Sequence, residues 1–382
     1  RMYVCGITPY DAAHLGHAST YLAFDLVQRT VRDAGLPVRY VQNVTDVDDP
    51  LLERALMTGD HWSDLAEREI QRFREDMQAL RVLPPDEFIG VVESIPDVVR
   101  LIEQLKEANA AYEVEQDWYF DLSTASGFAA VTDIDRAAMI DVFGERGGDP
   151  QRPGKRDALD PLLWMVARGD DPRWETSLGS GRPGWHIECS AMATGILGDE
   201  LDIHCGGEDN IFPHHEAEIA QTECVTGRPF VRLWMHCKHL QVEGSKMAKS
   251  AGNFFTLRDL TDKGWTGREV RYALISVKYR EPLNFTFDGL SAARSALQRL
   301  DEWTLRLRAL AAGATGEVPV EGVDAFELAL DDDLNISAAL GAVFEMIRQS
   351  NRGMDAATLT PNEAAYLLRW LGGVNSVLVF DP

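Results

Sequence analysis

Met2-Tyr3-Val4 is an uninterrupted apolar run, the pattern of a buried strand, and it leads through Gly6 and Pro9 to Leu15, Ala18, Leu22 and Leu26, spaced for one helical face and stopped at Gly35. A second β-rich run, Val38 to Val44, follows at βαβ distance. The turn between the first strand and its helix, Cys5 to His17, therefore falls at the carboxyl end of a parallel strand, where doubly wound sheets bind ligands. Alternation of strand and helix continues to about Arg81. It breaks over roughly 96–155, where an amphipathic helix is predicted around Val98–Ala111, short strands near Trp118-Tyr119-Phe120, and a turn at Gly144–Pro150. From Lys155 to about Leu240 the sheet is expected to resume. From Leu290 onward apolar residues recur at helical spacing, and Thr360-Pro361-Asn362-Glu363 forms a capping box with proline at the first helical position.

The pattern predicts an α/β chain: a Rossmann-like doubly wound parallel sheet with its first half over 1–95, a connective insertion over 96–155, the second sheet half over 156–240, a loop region over 241–290 and a C-terminal helical bundle over 291–382. With 382 residues, two or three domains with large cores are accommodated. The 61 acidic and 37 basic residues leave a net charge of −24, which opposes nonspecific binding to phosphate backbones but leaves room for a local basic groove. No apolar run of about 18 residues and no charged-then-apolar leader is present, so no membrane partner is expected and the expected location is cytoplasmic. The five cysteines, at 5, 189, 205, 224 and 237, are odd in number and scattered, which argues against a disulfide scaffold and leaves metal ligation or ordinary burial.

His14 and His17, one turn apart at a helix start, can add donors to a phosphate site. The polar cluster Thr45–Asp49 ends a strand and can face a ligand; equally, Thr45 and Asp46 can form an Asx-type turn while Asp48 and Asp49 cap a helix starting at Pro50. His214 and Glu218 share a helical face, a surface pair or a metal half-site, and Cys189 and Cys5 are further candidate ligands. Gly244–Asn253 is a Gly/Ser loop with Lys246 and Lys249 three apart, a solvated basic turn or a polyphosphate clamp.

Taken together, His14-Leu15-Gly16-His17 resembles the HIGH motif and Lys246-Met247-Ala248-Lys249-Ser250 the KMSKS motif of class I aminoacyl-tRNA synthetases. Within that class the chain resembles the cysteinyl-tRNA synthetase family, which includes the cysteine ligase of mycothiol synthesis, over nearly its whole length. The resemblance implies catalytic and ATP-binding roles for His14, His17, Lys246 and Lys249, and an adenosine contact for Gly206, Gly207 and Asp209. It implies one Zn²⁺ per chain on Cys5, Cys189, His214 and Glu218, a substrate-cysteine pocket with Thr45 and Trp185, and Mg²⁺ accompanying ATP. It also makes 241–290 a KMSKS-loop and stem-contact region. Ala248 departs from the motif's middle serine, at a cost of one hydroxyl hydrogen bond, about 0.5–1.5 kcal/mol.

The implied reaction is ATP-dependent conversion of L-cysteine to cysteinyl-adenylate, with zinc selecting thiol over hydroxyl because a hydrophobic pocket separates such near-isosteres only roughly 10²-fold. Two acceptors are compatible with it. Glu218, Gly252–Thr256, Pro282–Phe285 and Asp331–Asn335 are more similar to the tRNA synthetase and make tRNA(Cys) the expected acceptor. Cys5–Asp11, Pro50 and Glu145–Pro150 are more similar to the ligase that joins cysteine to the amine of glucosaminyl-inositol. The end of the chain at Pro382, without a further anticodon-binding domain, and the net charge of −24 point the same way. An inactive paralogue serving as a binding module is a third reading, opposed by the intact motif histidines and lysines. The expected oligomeric state is a monomer.

Overall fold

The computed structural model describes residues 1–125, 128–129, 131–247 and 252–382, with Lys246 described by its backbone. Three sheets are present among the described residues. The first contains β1 (Met2–Ile7), β2 (Tyr40–Val44), β3 (Glu87–Gly90), β9 (Leu201–Gly207) and β10 (Val231–Cys237), in the order β10-β9-β1-β2-β3. β1 runs parallel to both β2 and β9, with Tyr3 opposite Val41 and His204, and β2 runs parallel to β3. The second, antiparallel in its pairings, has the order β4-β5-β6-β8-β7 from β4 (Ala111–Val114), β5 (Asp117–Phe120), β6 (Leu162–Val166), β7 (Trp174–Thr176) and β8 (Gly179–Pro183). β11 (Gln241–Val242), β12 (Ser245–Lys246) and β13 (Asn284–Phe285) make a small third sheet.

Helices α1 (Leu15–Asp33), α2 (Asp49–Thr58), α3 (Trp62–Ala79), α4 (Val91–Glu107), α5 (Arg136–Glu145), α6 (Trp185–Leu197) and α7 (Glu216–Thr226) punctuate the first two sheets. They are followed by α8 (Leu257–Thr261), α9 (Gly267–Leu274), α10 (Phe287–Ala311), α11 (Ala325–Asp331), α12 (Ile336–Asp355) and α13 (Pro361–Leu378).

The chain divides into two compact units. The first comprises Arg1–Ala12, Arg39–Gln71 and Pro85–His236. Its core joins Tyr3 and Val41 of the parallel sheet to Val98 and Ile102 of α4, Ile187 and Met192 of α6 and Trp164 of β6. The continuous apolar run of β1 is explained by that burial: Met2, Tyr3 and Val4 are all buried. Gly6 is required by the sheet, since a Cβ there would lie 1.6 Å from the Asn43 carbonyl oxygen, and its N–H donates to Asn43 Oδ1 at 2.7 Å.

The second unit comprises Ala13–Val38, Arg72–Pro84 and Cys237–Pro382. Within it α1 packs on α13 and α9, α10 on α13 and α9, and α11 on α12. The fully buried Arg271 is its polar centre: Nη2 donates to Asp25 at 2.6 Å, Nε to the Leu378 carbonyl at 2.8 Å and Nη1 to the Leu80 carbonyl at 3.0 Å. The capping box at Thr360 forms as the sequence predicts, with Pro361 at the first turn of α13.

Two local expectations are revised. β6, β7 and β8, in the stretch expected to resume the parallel sheet, pair instead with β4 and β5, and the parallel sheet regains a strand only at β9. The helix expected around Val98–Ala111 begins earlier, at Val91, with Pro96 inside it, and ends at Glu107. Its first turn is held from a distance, because Asp46 Oδ1 accepts from Val92 N at 3.0 Å rather than closing a turn of its own.

Candidate active site

In the second unit, α1 starts on its own motif histidines. His14 is the N-cap, its Nδ1 accepting from Gly16 N at 3.0 Å, and His17 Nδ1 accepts from His14 N at 3.3 Å, so the two rings form a capping box. They stack at 3.9 Å with an 18° interplanar angle. Because each Nδ1 accepts, the hydrogen-bond network assigns the proton of each neutral ring to Nε2. Burial, with His14 beside it, holds the His17 pKa down at about 3, so its ring is an uncharged donor at neutral pH. Described residues of and just after the basic loop come to this helix start. Met247 Cε and the His14 ring would lie 3.4 and 2.8 Å from a Cβ placed on Gly16, Leu15 N donates to Phe255 O at 2.9 Å, and His14 pairs with Thr256 in a β-bridge. The side chain of Lys246 and the whole of Lys249 lie outside the described residues.

The first unit gathers sulfur, nitrogen and oxygen donors at one buried point. Cys5 from β1, Cys189 from α6, His214 from the turn before α7 and Glu218 from its first turn each offer one ligand atom, and these four atoms lie within 4.8 Å of one another. His214 Nε2 is 3.1 Å from Glu218 Oε1, so the i,i+4 spacing makes the predicted pair although Ile211–His215 is a π-type turn and not the regular first turn expected at Pro213. Burial drives the group toward neutrality, pushing the Cys5 thiol and the Glu218 carboxyl up and His214 down. Two thiols, an imidazole and a carboxylate converging on one buried point form a donor set suited to zinc. Trp185 stacks on His214 with centroids 4.4 Å apart, and Thr45 Oγ1 donates to Glu188 Oε2 at 3.3 Å. Gly206 and Gly207 end β9 and Asp209 follows in the next turn; a Cβ on Gly206 would come within 2.9 Å of His215 Cε1.

Sequence reasoning missed a second layer of imidazoles. His204 Nε2 is 2.8 Å from Glu218 Oε2, His215 Nε2 is 3.4 Å from Cys5 Sγ and His186 Nδ1 is 2.9 Å from His214 Nδ1. His204 and His215 with Cys5 and Glu218 make an alternative four-ligand group that shares two residues with the first. The available signal was density: five of the nine histidines fall between 186 and 236.

Residues 1–295 match the family described as tRNA synthetases class I (C) catalytic domain. The chain belongs to that family. Residues 325–379 of this class I chain also match the DALR domain. Its curated relatives include the L-cysteine:1D-myo-inositol 2-amino-2-deoxy-alpha-D-glucopyranoside ligase of Kribbella flavida, 48% identical over 94% of this chain and 87% of that protein. The ligases of the same name from Nocardiopsis dassonvillei and Thermobifida fusca are each 50% identical over 90% of this chain and 82% of their own. Among solved structures, methionyl-tRNA synthetase of Mycobacterium tuberculosis bound by methionyl-adenylate aligns with a TM-score of 0.71 at 16% identity, over 99% of this chain and 88% of that one. The leucyl-tRNA synthetase ternary complex of Agrobacterium radiobacter K84 gives 0.72 at 10% identity, over 100% and 84%. These two show the shared class I fold. The chain is a ligase of the cysteine-activating class I type, and among its described residues no helix is long and apolar enough to cross a membrane.

Proposed function

We propose that this ligase activates L-cysteine with ATP and transfers it to the amine of glucosaminyl-inositol. The observation that carries the acceptor is the relatives' common name at 48–50% identity over at least 90% of the chain. Similarity on that scale outweighs the few second-half segments that made tRNA(Cys) the expected acceptor. In the first step the cysteine carboxylate attacks the α-phosphorus of ATP and pyrophosphate leaves. His14 and His17 offer neutral Nε2–H donors at a helix N-terminus, and Lys246 and Lys249 supply positive charge where negative charge accumulates. Gly206, Gly207 and Asp209 contact the adenosine, and Mg²⁺ accompanies the triphosphate.

Cys5, Cys189, His214 and Glu218 hold the metal, and Thr45 and Trp185 bound the amino-acid pocket beside it. Zinc bound there supplies a soft Lewis acid that favours a thiol over a hydroxyl. In the second step the acceptor amine attacks the adenylate carbonyl, an amide forms and AMP departs. The test is incubation with ATP, Mg²⁺, zinc, labelled cysteine and either glucosaminyl-inositol or tRNA. Labelled sugar is expected; labelled tRNA without labelled sugar overturns the acceptor, and absence of cysteine-dependent ATP–pyrophosphate exchange overturns the enzyme reading in favour of a binding module.

A further inference from the structure

A cleft of about 1060 Å³ opens in the first unit, and one end of its wall is Trp185 and His186, the residues against His214. The rest includes the start of α2, the turn after α5, the end of β8, residues of β5 and β6, and Asp209. Its volume lies at the upper end of the small-molecule range and exceeds what a cysteine side chain needs. The charges on its wall are unequally committed. Arg152 and Arg168 each donate to Asp117 at 2.7 Å, Arg146 donates to the Asp209 and Phe212 carbonyls, and Arg182 is paired with Asp49. The Glu53 and Glu145 side chains have no hydrogen bond or ion pair among the described residues, and Asp48 accepts from the backbone N–H of Asp49 and has a long ion pair, 3.9 Å, with an Arg182 already committed to Asp49. The cleft thus offers spare carboxylates and occupied guanidiniums, which favours an ammonium and repels a phosphate backbone. A second observation points to a polar ligand. Arg182 is only 4% exposed, lines the cleft, and its Nε–H has no acceptor among the described residues. A ligand hydroxyl can supply one.

We infer that this cleft is the acceptor subsite, taking a polyhydroxylated primary amine whose ammonium is held by Asp48, with Asp48 also receiving the proton released when that amine attacks. The inference rests on the proposed ligase reading and adds where and how its acceptor binds. The bound ammonium first loses one proton to water; the neutral amine nitrogen then forms a C–N bond to the carbonyl of cysteinyl-adenylate, the bond from that carbon to the phosphate oxygen breaks, AMP leaves with the electron pair, and the second proton passes from nitrogen to the Asp48 carboxylate and on to water. Burial raises the Asp48 pKa to about 6, opposed by the Asp49 N–H and by Arg182 from β8; Asp49 on α2 and Glu188 on α6 are the carboxyls that face it. Below that value the group is protonated and cannot accept, so acyl transfer rises with pH through about 6.

The experiment is steady-state ligation of labelled cysteine to glucosaminyl-inositol by wild type, Asp48→Asn and Glu53→Gln from pH 5 to 9. Asn serves as an N-cap as well as Asp, so α2 keeps its start. In Asp48→Asn the KM for the acceptor is expected to rise roughly tenfold or more while the KM for cysteine moves less than twofold, and the limb near 6 disappears. Glu53→Gln, on an exposed side chain, should raise the acceptor KM by a smaller factor. An unchanged acceptor KM in both variants overturns the subsite alone. Wild-type enzyme that labels tRNA and not the sugar overturns the reading beneath it.

Discussion

His14 has a capping task in the structure and a proposed catalytic one, and substitution can separate them. Its Nδ1 caps α1 by accepting from Gly16 N at 3.0 Å, and its Nε2–H is the donor we propose for the triphosphate. Ala removes both functions, whereas Asn restores a capping oxygen without restoring a donor that reaches as far as Nε2. Loss of the cap costs about 1 kcal/mol of stability. Loss of one donor aimed at charge developing in the transition state costs roughly 2.7–4 kcal/mol, a factor of 10²–10³ in rate. His14→Ala is therefore expected to lower both the urea midpoint and cysteine-dependent ATP–pyrophosphate exchange, and His14→Asn to lower exchange alone by the same factor. Exchange at the wild-type rate in His14→Asn would falsify the donor role and leave the ring a helix cap.

Cys189→Ser should reduce bound zinc, read by elemental analysis, from about one per chain to near none, and should let serine support exchange; retained zinc counts against the four-residue site. Arg271→Met leaves the fully buried Asp25 carboxylate with Arg29 at 2.8 Å as its remaining cation and strips the Leu80 and Leu378 carbonyls, so urea unfolding should show a loss of about 3–5 kcal/mol. A loss below 1 kcal/mol would refute the central role given to that network. His17 has a folded pKa near 3 against 6.5 when free, so the unfolded chain binds the proton first and stability falls as pH drops below about 6.5 toward 3. His17→Gln should flatten that fall, and an unaltered slope would contradict it.

Local patterns carried much of the architecture. The apolar run at Met2–Val4, the helical spacing from Leu15 to Leu26 and the Thr360 capping box each encode their element through neighbours in the chain, and each forms. Partner choice was not local. Nothing near Leu162 announces that β6 joins β5 rather than the parallel sheet, and nothing near Val91 shows that Asp46, 45 residues earlier, will hold the start of α4. The proposed zinc ligands became legible through family resemblance, since a cysteine at 5 and a glutamate at 218 have no sequence relationship apart from the fold that joins them. The histidines behind them escaped because a buried imidazole and a surface one look alike in a sequence; only their crowding between 186 and 236 gave a hint.

The start of α1 would mislead an engineer. A screen for higher melting temperature would be drawn to a histidine in the N-cap position and a glycine in the first turn, and would favour Ser or Asp at 14 and Ala at 16. The first exchange trades the proposed donor for a better cap, and the second puts a methyl group 2.8 Å from the His14 ring, so it is tolerated only where that ring has moved or gone. Clones selected for heat resistance at these two positions should accumulate as well-folded, inactive protein, so any stabilisation programme needs turnover in its selection from the first round.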